Sequence, residues 1–191
     1  MSNENISANG VVVSSVNPLP VTSESGKATY SVQVSDFTAV AATATDVLAL
    51  VGSATKTIRV NRVQITADAT AASVLDFYTF KRTTANTGGT ATQPAICKLD
   101  SADPAPTAVA NLYTVNPTAL GTGVMLAADH YALPAAATTG YPGAPWVEEF
   151  GTRNNRQVVL RGVGESLAVG CNAEVIPAGI NLYIRIEWTE E

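Results

Sequence analysis

The stretch Gly179-Ile180-Asn181-Leu182-Tyr183-Ile184-Arg185-Ile186-Glu187-Trp188-Thr189 decides the fold of this chain. Apolar side chains occupy every second position from Ile180 to Trp188, and polar side chains fill the positions between them. Successive side chains of a β-strand point to opposite faces, whereas a helix would scatter these apolar residues around its circumference. The stretch therefore predicts a central strand of roughly 30 Å, with one buried face and one solvent-facing side.

Similar patterns recur upstream of this strand. Alternation, or a run of apolar and β-branched residues, predicts strands at 29–35, 46–51, 58–65, 74–82, 108–115, 123–126, 146–150, 156–161 and 166–171. The apolar positions change parity at Asn61-Arg62, which predicts a β-bulge there or, alternatively, a strand buried on both faces. About eight to ten strands without an amphipathic helix predict an all-β fold, an antiparallel β-sandwich of jelly-roll or related topology.

The middle of the chain, residues 94–145, is rich in proline. Proline interrupts helices and strand ladders, so we expect no long regular element in this region. Long loops in a compact domain are usually functional or contact other chains, and the sequence leaves both roles open here. The prolines are Pro94, Pro104, Pro106, Pro117, Pro134, Pro142 and Pro145.

Residues 1–28 differ in composition from the rest and predict an extended N-terminal arm, followed by a β-sandwich domain over residues 29–191. Val11, Val12 and Val13 are its one strand-like piece, set among Ser, Asn, Pro and Gly. Fully extended, the arm reaches at most roughly 95 Å. We therefore predict that the three valines add to an exposed sheet edge of a partner chain. A disordered tail without a role is the alternative.

The composition favours other protein subunits as partners over nucleic acids and membranes. Charged residues are only 14% of the 191 positions, the formal net charge is −5, and the 11 Lys and Arg residues are dispersed, so we expect no nucleic-acid partner. A low-charge, hydroxyl-rich surface favours packing against other subunits. No apolar run approaches the ~20 residues of a membrane span, so we expect no membrane partner. Residues 1–7 lack the features of a signal peptide, and we expect synthesis in a cytoplasm.

The residues that commonly carry chemistry do not form a recognisable constellation. His130 follows Asp129, but neighbours on a strand diverge, which is poor geometry for an orienting hydrogen bond. The same divergence separates Glu148 from Glu149. Asp100 and Asp103 have no calcium-loop spacing. The glycine pairs at 121–123 and 162–164 match no phosphate-binding loop. We expect no catalytic, cofactor-binding or metal-binding residue, and no enzymatic activity.

The two cysteines, Cys97 and Cys171, lie far apart in apolar sequence settings and show no metal-ligand spacing. Buried free thiols are the expected state, with a disulfide as the alternative.

Five segments resemble small virion proteins of tailed bacteriophages. They are residues 52–66 (GSATKTIRVNRVQIT), 80–90 (FKRTTANTGGT), 114–122 (TVNPTALGT), 159–169 (VLRGVGESLAV) and 184–191 (IRIEWTEE). The similarity extends over about residues 45 to 191 and does not include the arm.

The resemblance implies a non-enzymatic capsid decoration (cement) protein on the virion surface. Such proteins are β-rich, commonly trimeric and seated between capsomers, so the implied partners are the major capsid protein and further copies of this chain. The alternatives are a head fibre, collar or tail component, or a carbohydrate-binding module for host attachment. Tyr141 and Trp146 are expected as partner contacts, alongside Val11–Val13. We expect any subunit interface to avoid the acidic residues Glu148, Glu149, Glu190 and Glu191 unless cations are present.

Overall fold

The structure is a computed structural model that describes residues 6–8, 11–13, 26–38, 45–134, 145–152, 156–171 and 179–191. Strands account for most of these residues, and no helix occurs among them. In this part of the chain, accordingly, no helix is long and apolar enough to cross a bilayer.

The described residues form fourteen β-strands. In chain order they are β1 (Ile6–Ala8), β2 (Val11–Val13), β3 (Thr29–Phe37), β4 (Thr45–Val51), β5 (Thr57–Ala69), β6 (Ser73–Arg82), β7 (Thr90–Thr92), β8 (Ile96–Lys98), β9 (Val109–Val115), β10 (Gly123–Leu133), β11 (Trp146–Glu149), β12 (Val158–Arg161), β13 (Ser166–Cys171) and β14 (Ile180–Glu190).

Two six-stranded antiparallel sheets pack against each other. Sheet 1 has the order β10-β6-β13-β4-β9-β7. Sheet 2 has the order β11-β5-β14-β3-β8. Strand β12 also pairs with β5, along a different stretch of the edge that β11 occupies. Strands β1 and β2 form a separate two-stranded sheet. The predicted all-β antiparallel sandwich is confirmed.

Strand β14 lies at the centre of sheet 2, between β5 and β3, as its alternation predicts. Its five alternating apolar residues, Ile180 to Trp188, are buried in the core between the sheets. The ring of Trp188 stacks on that of Tyr30 in β3, with centroids 5.9 Å apart. The opposite face is half-buried as far as Glu187, whereas Thr189 is buried rather than wet.

The predicted β-bulge in β5 is confirmed. In the ladder with β14, Glu187 pairs with Arg62 while the next residue, Trp188, pairs with Val60, so Asn61 is the extra residue. The bulge lets the apolar residues on either side of it, with opposite parity, all enter one core.

The expectation that residues 94–145 contain no long regular element is wrong. Strand β10 has 11 residues and lies between Pro117 and Pro134, so no proline interrupts it. It pairs only with β6 among the described residues, and most of its side chains are exposed or half-buried. An edge strand exposed on both faces has no need of alternating polarity, so its pattern is weak.

The expectation of two buried thiols is confirmed for Cys171 and wrong for Cys97. Both cysteines are free, and Cys171 is buried on the inner face of β13, where burial raises the pKa of its thiol to about 12. Cys97 is exposed. It lies on the short edge strand β8, where only the flanking side chains of Ile96 and Lys98 turn inward.

Candidate interaction surfaces

The predicted contact residues Val11, Val12 and Val13 form strand β2, so a strand at this position is confirmed. Its partner is β1, with Ile6 opposite Val13, which was not predicted from the sequence. Three-residue strands are too short to show periodicity, and β1 carries only one strongly apolar residue. The attachment role of the arm stays a prediction.

The two aromatic contact candidates have different outcomes. Tyr141 lies outside the described residues. Trp146 is half-buried on β11, and its ring meets that of Phe77 edge-on with centroids 5.0 Å apart. Part of the indole therefore packs against the core, and only the remainder of its surface is open to a partner.

The titratable residues considered for chemistry lie apart. His130 is exposed on β10, and the carboxylate of Asp129 accepts a hydrogen bond from the backbone N–H of His130, at 2.8 Å. On β11, Glu148 is half-buried and Glu149 is exposed. Burial raises the pKa of Glu148. Within the described ranges, no three His, Cys, Asp or Glu side chains are grouped closely enough to hold a metal ion.

Residues 99–103 form a turn after β8, which we call the acidic turn. Asp100 Oδ1 accepts from the backbone N–H of Ala102 at 2.9 Å, and Asp103 Oδ2 accepts from that of Thr29 at 3.1 Å. Lys98 Nζ donates to the carbonyls of residues 101 and 103. The turn is therefore held in shape by internal hydrogen bonds and by contacts with Thr29 and Lys98, and it presents Asp100 and the 54%-exposed Leu99 to solvent.

A buried polar network joins sheet 1 to the loops outside it. The guanidinium of Arg82 makes a two-point ion pair with Asp46, at 2.7 and 3.1 Å, and both residues are at most 5% exposed. Arg82 alternates with the core residues of β6, so the pair lies on the outer face of the sheet. Asn86 donates to Asp46 Oδ2 at 2.7 Å, and Arg82 donates to the carbonyl of Gly121 at 2.8 Å.

This network holds the loops 83–89 and 116–122 against sheet 1. Asn86 also accepts from the backbone N–H of Gly121 at 2.8 Å. A Cβ on Gly121 would lie 1.9 Å from the carbonyl oxygen of Thr84, so only glycine allows the two loops to approach this closely. Both loops belong to segments on which the phage resemblance rests. Beside them opens a cleft of about 220 Å³, lined in part by Tyr113 and Val163.

A second polar clasp holds the end of β14. The carboxylate of Glu190 accepts from the backbone N–H groups of Thr107 and Ala108, from the Thr107 hydroxyl and from Trp188 Nε1, at 2.7–3.1 Å. Burial alone would raise the pKa of Glu190, but these hydrogen bonds outweigh it and hold the pKa below its usual value. Glu190 is only 5% exposed, so its carboxylate belongs to the interior of the domain.

Three arginines line an open cleft of about 560 Å³ on the outer face of sheet 2, which we call the arginine cleft. Arg59 lies on β5, Arg161 on β12, and Arg156 just before β12. Val159 pairs with Arg59 across the two strands and forms an apolar part of the cleft wall. Gln157 and Gly151 complete the lining. The sequence analysis missed this site because Arg59 lies far in sequence from Arg156 and Arg161, so the basic residues look dispersed.

The long strand β10 leaves one sheet edge open among the described residues. Exposed apolar side chains lie along it and on its neighbour β6: Val74, Val124 and Met125 are each about half exposed. Unpaired backbone groups beside apolar side chains favour the addition of a further strand.

Searches against protein-family models, curated proteins and solved structures found no match to this chain.

Proposed function

We propose that this protein is a non-enzymatic structural protein of a tailed-bacteriophage virion, a decoration protein that binds between capsomers and stabilises the head. The observation that carries the proposal is that the buried charged residues of this protein hold its loops in place. Asp46, Arg82 and Glu190 are engaged in hydrogen bonds that fix loops to the sandwich. Such an arrangement supports a rigid scaffold. The sequence resemblance supports the phage head as the place where that scaffold acts.

We further propose that the sandwich is a jelly roll. In this topology early and late strands of the chain alternate within each sheet. The order β3-β14-β5 with β12 in sheet 2, and β4-β13-β6-β10 in sheet 1, follows that alternation. Strands β7, β8 and β9 then form an insertion between β6 and β10. Jelly rolls are frequent among viral capsid proteins and lectins.

A decoration protein acts by mass action. Because it binds the assembled shell and not its loose subunits, binding stabilises the shell by an amount that grows with its free concentration. A homotrimer bridging several capsomers adds avidity to each contact. Three chains carry a formal charge of −15, three times −5. The subunit interface therefore avoids Glu148, Glu149 and Glu191 except where cations lie beside them, as Arg59 lies beside Glu191.

The arm supplies the attachment in this proposal. Ordering an extended segment costs about 1–2 kcal/mol per residue, so the contacts that the arm makes on the particle must gain more than this. Deletion of residues 2–28 tests this. We expect the truncated protein to fold and trimerise but to bind particles more weakly. Unchanged affinity for particles would show that the arm is a passenger.

Imaging purified virions of the encoding phage, with the protein labelled, is the direct test of the proposed function. Label at regular positions between capsomers is the expected result. Label confined to the tail, to a collar or to fibres would favour the alternative virion roles and would refute decoration.

The carbohydrate-binding alternative has one observation in its favour. A shallow polar hollow of about 130 Å³ on the outer face of sheet 2 is lined by Gln33, Gln64 and Tyr183 among others. Amide groups beside an aromatic ring suit a sugar. The hydroxyl of Tyr183 is already bonded to Asp68 at 3.0 Å, which fixes the ring. Specific binding on a glycan array, lost on Tyr183→Ala, would support this alternative.

A further inference from the structure

The arginine cleft concentrates positive charge that the described residues neutralise only in part. Arg59 pairs with the carboxylate of Glu191 at 2.7 Å. Arg161 donates to the Thr57 hydroxyl at 3.4 Å and, like Arg156, forms no ion pair with any described residue. The sequence between Thr152 and Arg156 is Arg-Asn-Asn, which adds no negative charge. Two guanidinium groups beside the apolar wall of Val159 thus lack a carboxylate.

A matching surface lies at the opposite edge of the same sheet. Strand β12 is at one edge of sheet 2, and β8, which leads into the acidic turn, is at the other. The turn presents the exposed carboxylate of Asp100 next to the exposed side chain of Leu99. The carboxylate matches the arginines of the cleft, and the apolar side chain matches Val159.

The two surfaces also lie at the same height along the strands. Val159 pairs with Arg59, Arg59 with Thr189, and Thr189 with Thr29. The carbonyl of Thr29 in turn accepts from the backbone N–H of Leu99. The cleft and the turn are thus the two ends of one row across the sheet, separated by four strand spacings, or about 19 Å.

We propose that the arginine cleft of one subunit binds the acidic turn of a second copy of this chain. Asp100 would pair with Arg156 and Arg161, and Leu99 would cover Val159. Guanidinium and carboxylate groups match in planar two-point geometry, which orients as well as attracts. This interface gives a structural basis to the proposed homotrimer and rests on that proposal.

Complementary surfaces at opposite edges of a sheet make a head-to-tail interface. Such an interface uses two different patches on each subunit and closes into a ring when successive subunits are rotated by a suitable angle. A ring of three satisfies every cleft and every turn. It also removes two unpaired arginines from the solvent-facing surface of each subunit.

Charge exchange tests the interface. We would compare the wild type with the cleft variant R156E/R161E, the turn variant D100K and the combination of all three, using sedimentation velocity over a range of concentrations and salt. The control R185E/K81E changes the net charge by the same amount as the cleft variant, at residues paired with Glu187 and Glu165 outside the cleft. Circular dichroism establishes that each variant folds. Co-sedimentation with capsids is measured in parallel.

We expect the cleft variant and the turn variant each to weaken self-association at least about tenfold, the combination to restore it in part, and the control to behave like the wild type. High salt should weaken the wild type as well. A monomeric wild type, or unaltered association of the folded cleft variant, overturns the interface. So does a cleft variant that stays trimeric but loses capsid binding, because the cleft then contacts the shell. A wild type that trimerises through this interface but binds no capsid refutes the decoration role alone.

Discussion

Replacing Glu190 by glutamine tests whether the clasp at the end of β14 depends on a charge. Glutamine has nearly the same shape but keeps only one acceptor oxygen, and its amide group would face donors. In the structure both carboxylate oxygens accept: Oε2 from the Thr107 hydroxyl at 2.7 Å, and Oε1 from the Ala108 N–H at 3.0 Å. Lys56 Nζ lies 3.8 Å away and adds a further favourable charge.

The expected magnitude follows from these contacts. Hydrogen bonds to a charged group contribute roughly 1.5–3 kcal/mol each, and the substitution removes the charge from several of them and leaves a buried donor opposed to another. We expect the free energy of unfolding to fall by about 2–4 kcal/mol at pH 7. For a domain of this size, that lowers the melting temperature by roughly 5–15 °C.

The pH dependence identifies the cause. The pKa of Glu190 in the folded protein is lowered from its ordinary value of 4.5. A lowered folded pKa means that the carboxylate stabilises the fold at pH values above the unfolded pKa, and that this contribution is lost as the pH falls through the folded pKa. The wild type and Glu190→Gln should therefore differ most at neutral pH and converge in acid.

Thermal melts followed by circular dichroism between pH 7 and pH 3.5 measure both effects. Glu191→Gln is the matched control, because its carboxylate is more exposed and, among the described residues, bonds only to Lys27 and Arg59 at the surface. Exposed ion pairs contribute little, so we expect little change in its melt. If Glu190→Gln melts with the wild type at pH 7, or if their difference is the same at both ends of the pH range, the charge is not what holds the clasp.

Three further predictions concern the buried network and the central strand. Asp46→Asn should lower the free energy of unfolding in urea by about 3–5 kcal/mol, because it leaves Arg82 buried without a countercharge; Asp46→Leu combined with Arg82→Met should cost less. A single variant as stable as the wild type would contradict this. In amide exchange, residues 182–186 of β14 should be among the slowest, and rapid exchange there would show that β14 is not part of the most stable unit. Ile184→Asp should prevent folding, because it places a charge in the core.

Sequence reasoning predicted those strands in which apolar and polar side chains alternate within the strand itself. The alternation of β14 and the parity change at Asn61 each follow from nearby side chains facing one core. Strand β10 was predicted only as far as residue 126, because an exposed edge strand is not constrained to alternate. Strands β7 and β8 have three residues each, which is too few for a period of two to be visible.

The interaction surfaces were less predictable, because they depend on contacts between distant segments. Nothing local indicates that Glu190 is buried, since its donors at Thr107 and Ala108 lie about 80 residues away in the sequence. The arginine cleft likewise joins β5 to β12, whose residues Thr57 and Arg161 are 104 positions apart. The loops 83–89 and 116–122 lie in sequence segments that resemble phage proteins, and the structure places them in contact through Asn86 and Gly121.

The central position of β14 has a consequence for how the protein is made. Tyr183 and its neighbour Asp68 are 115 residues apart, and β3 precedes β5. On the ribosome, both flanking strands therefore emerge long before the strand that joins them, and sheet 2 stays split with two bare edges until residues 180–190 are synthesised. Such late, non-local pairing is slow and leaves edges open to other nascent chains. A product of interrupted translation lacks the joining strand, cannot complete the sandwich, and is thereby kept out of any assembly that requires the finished fold.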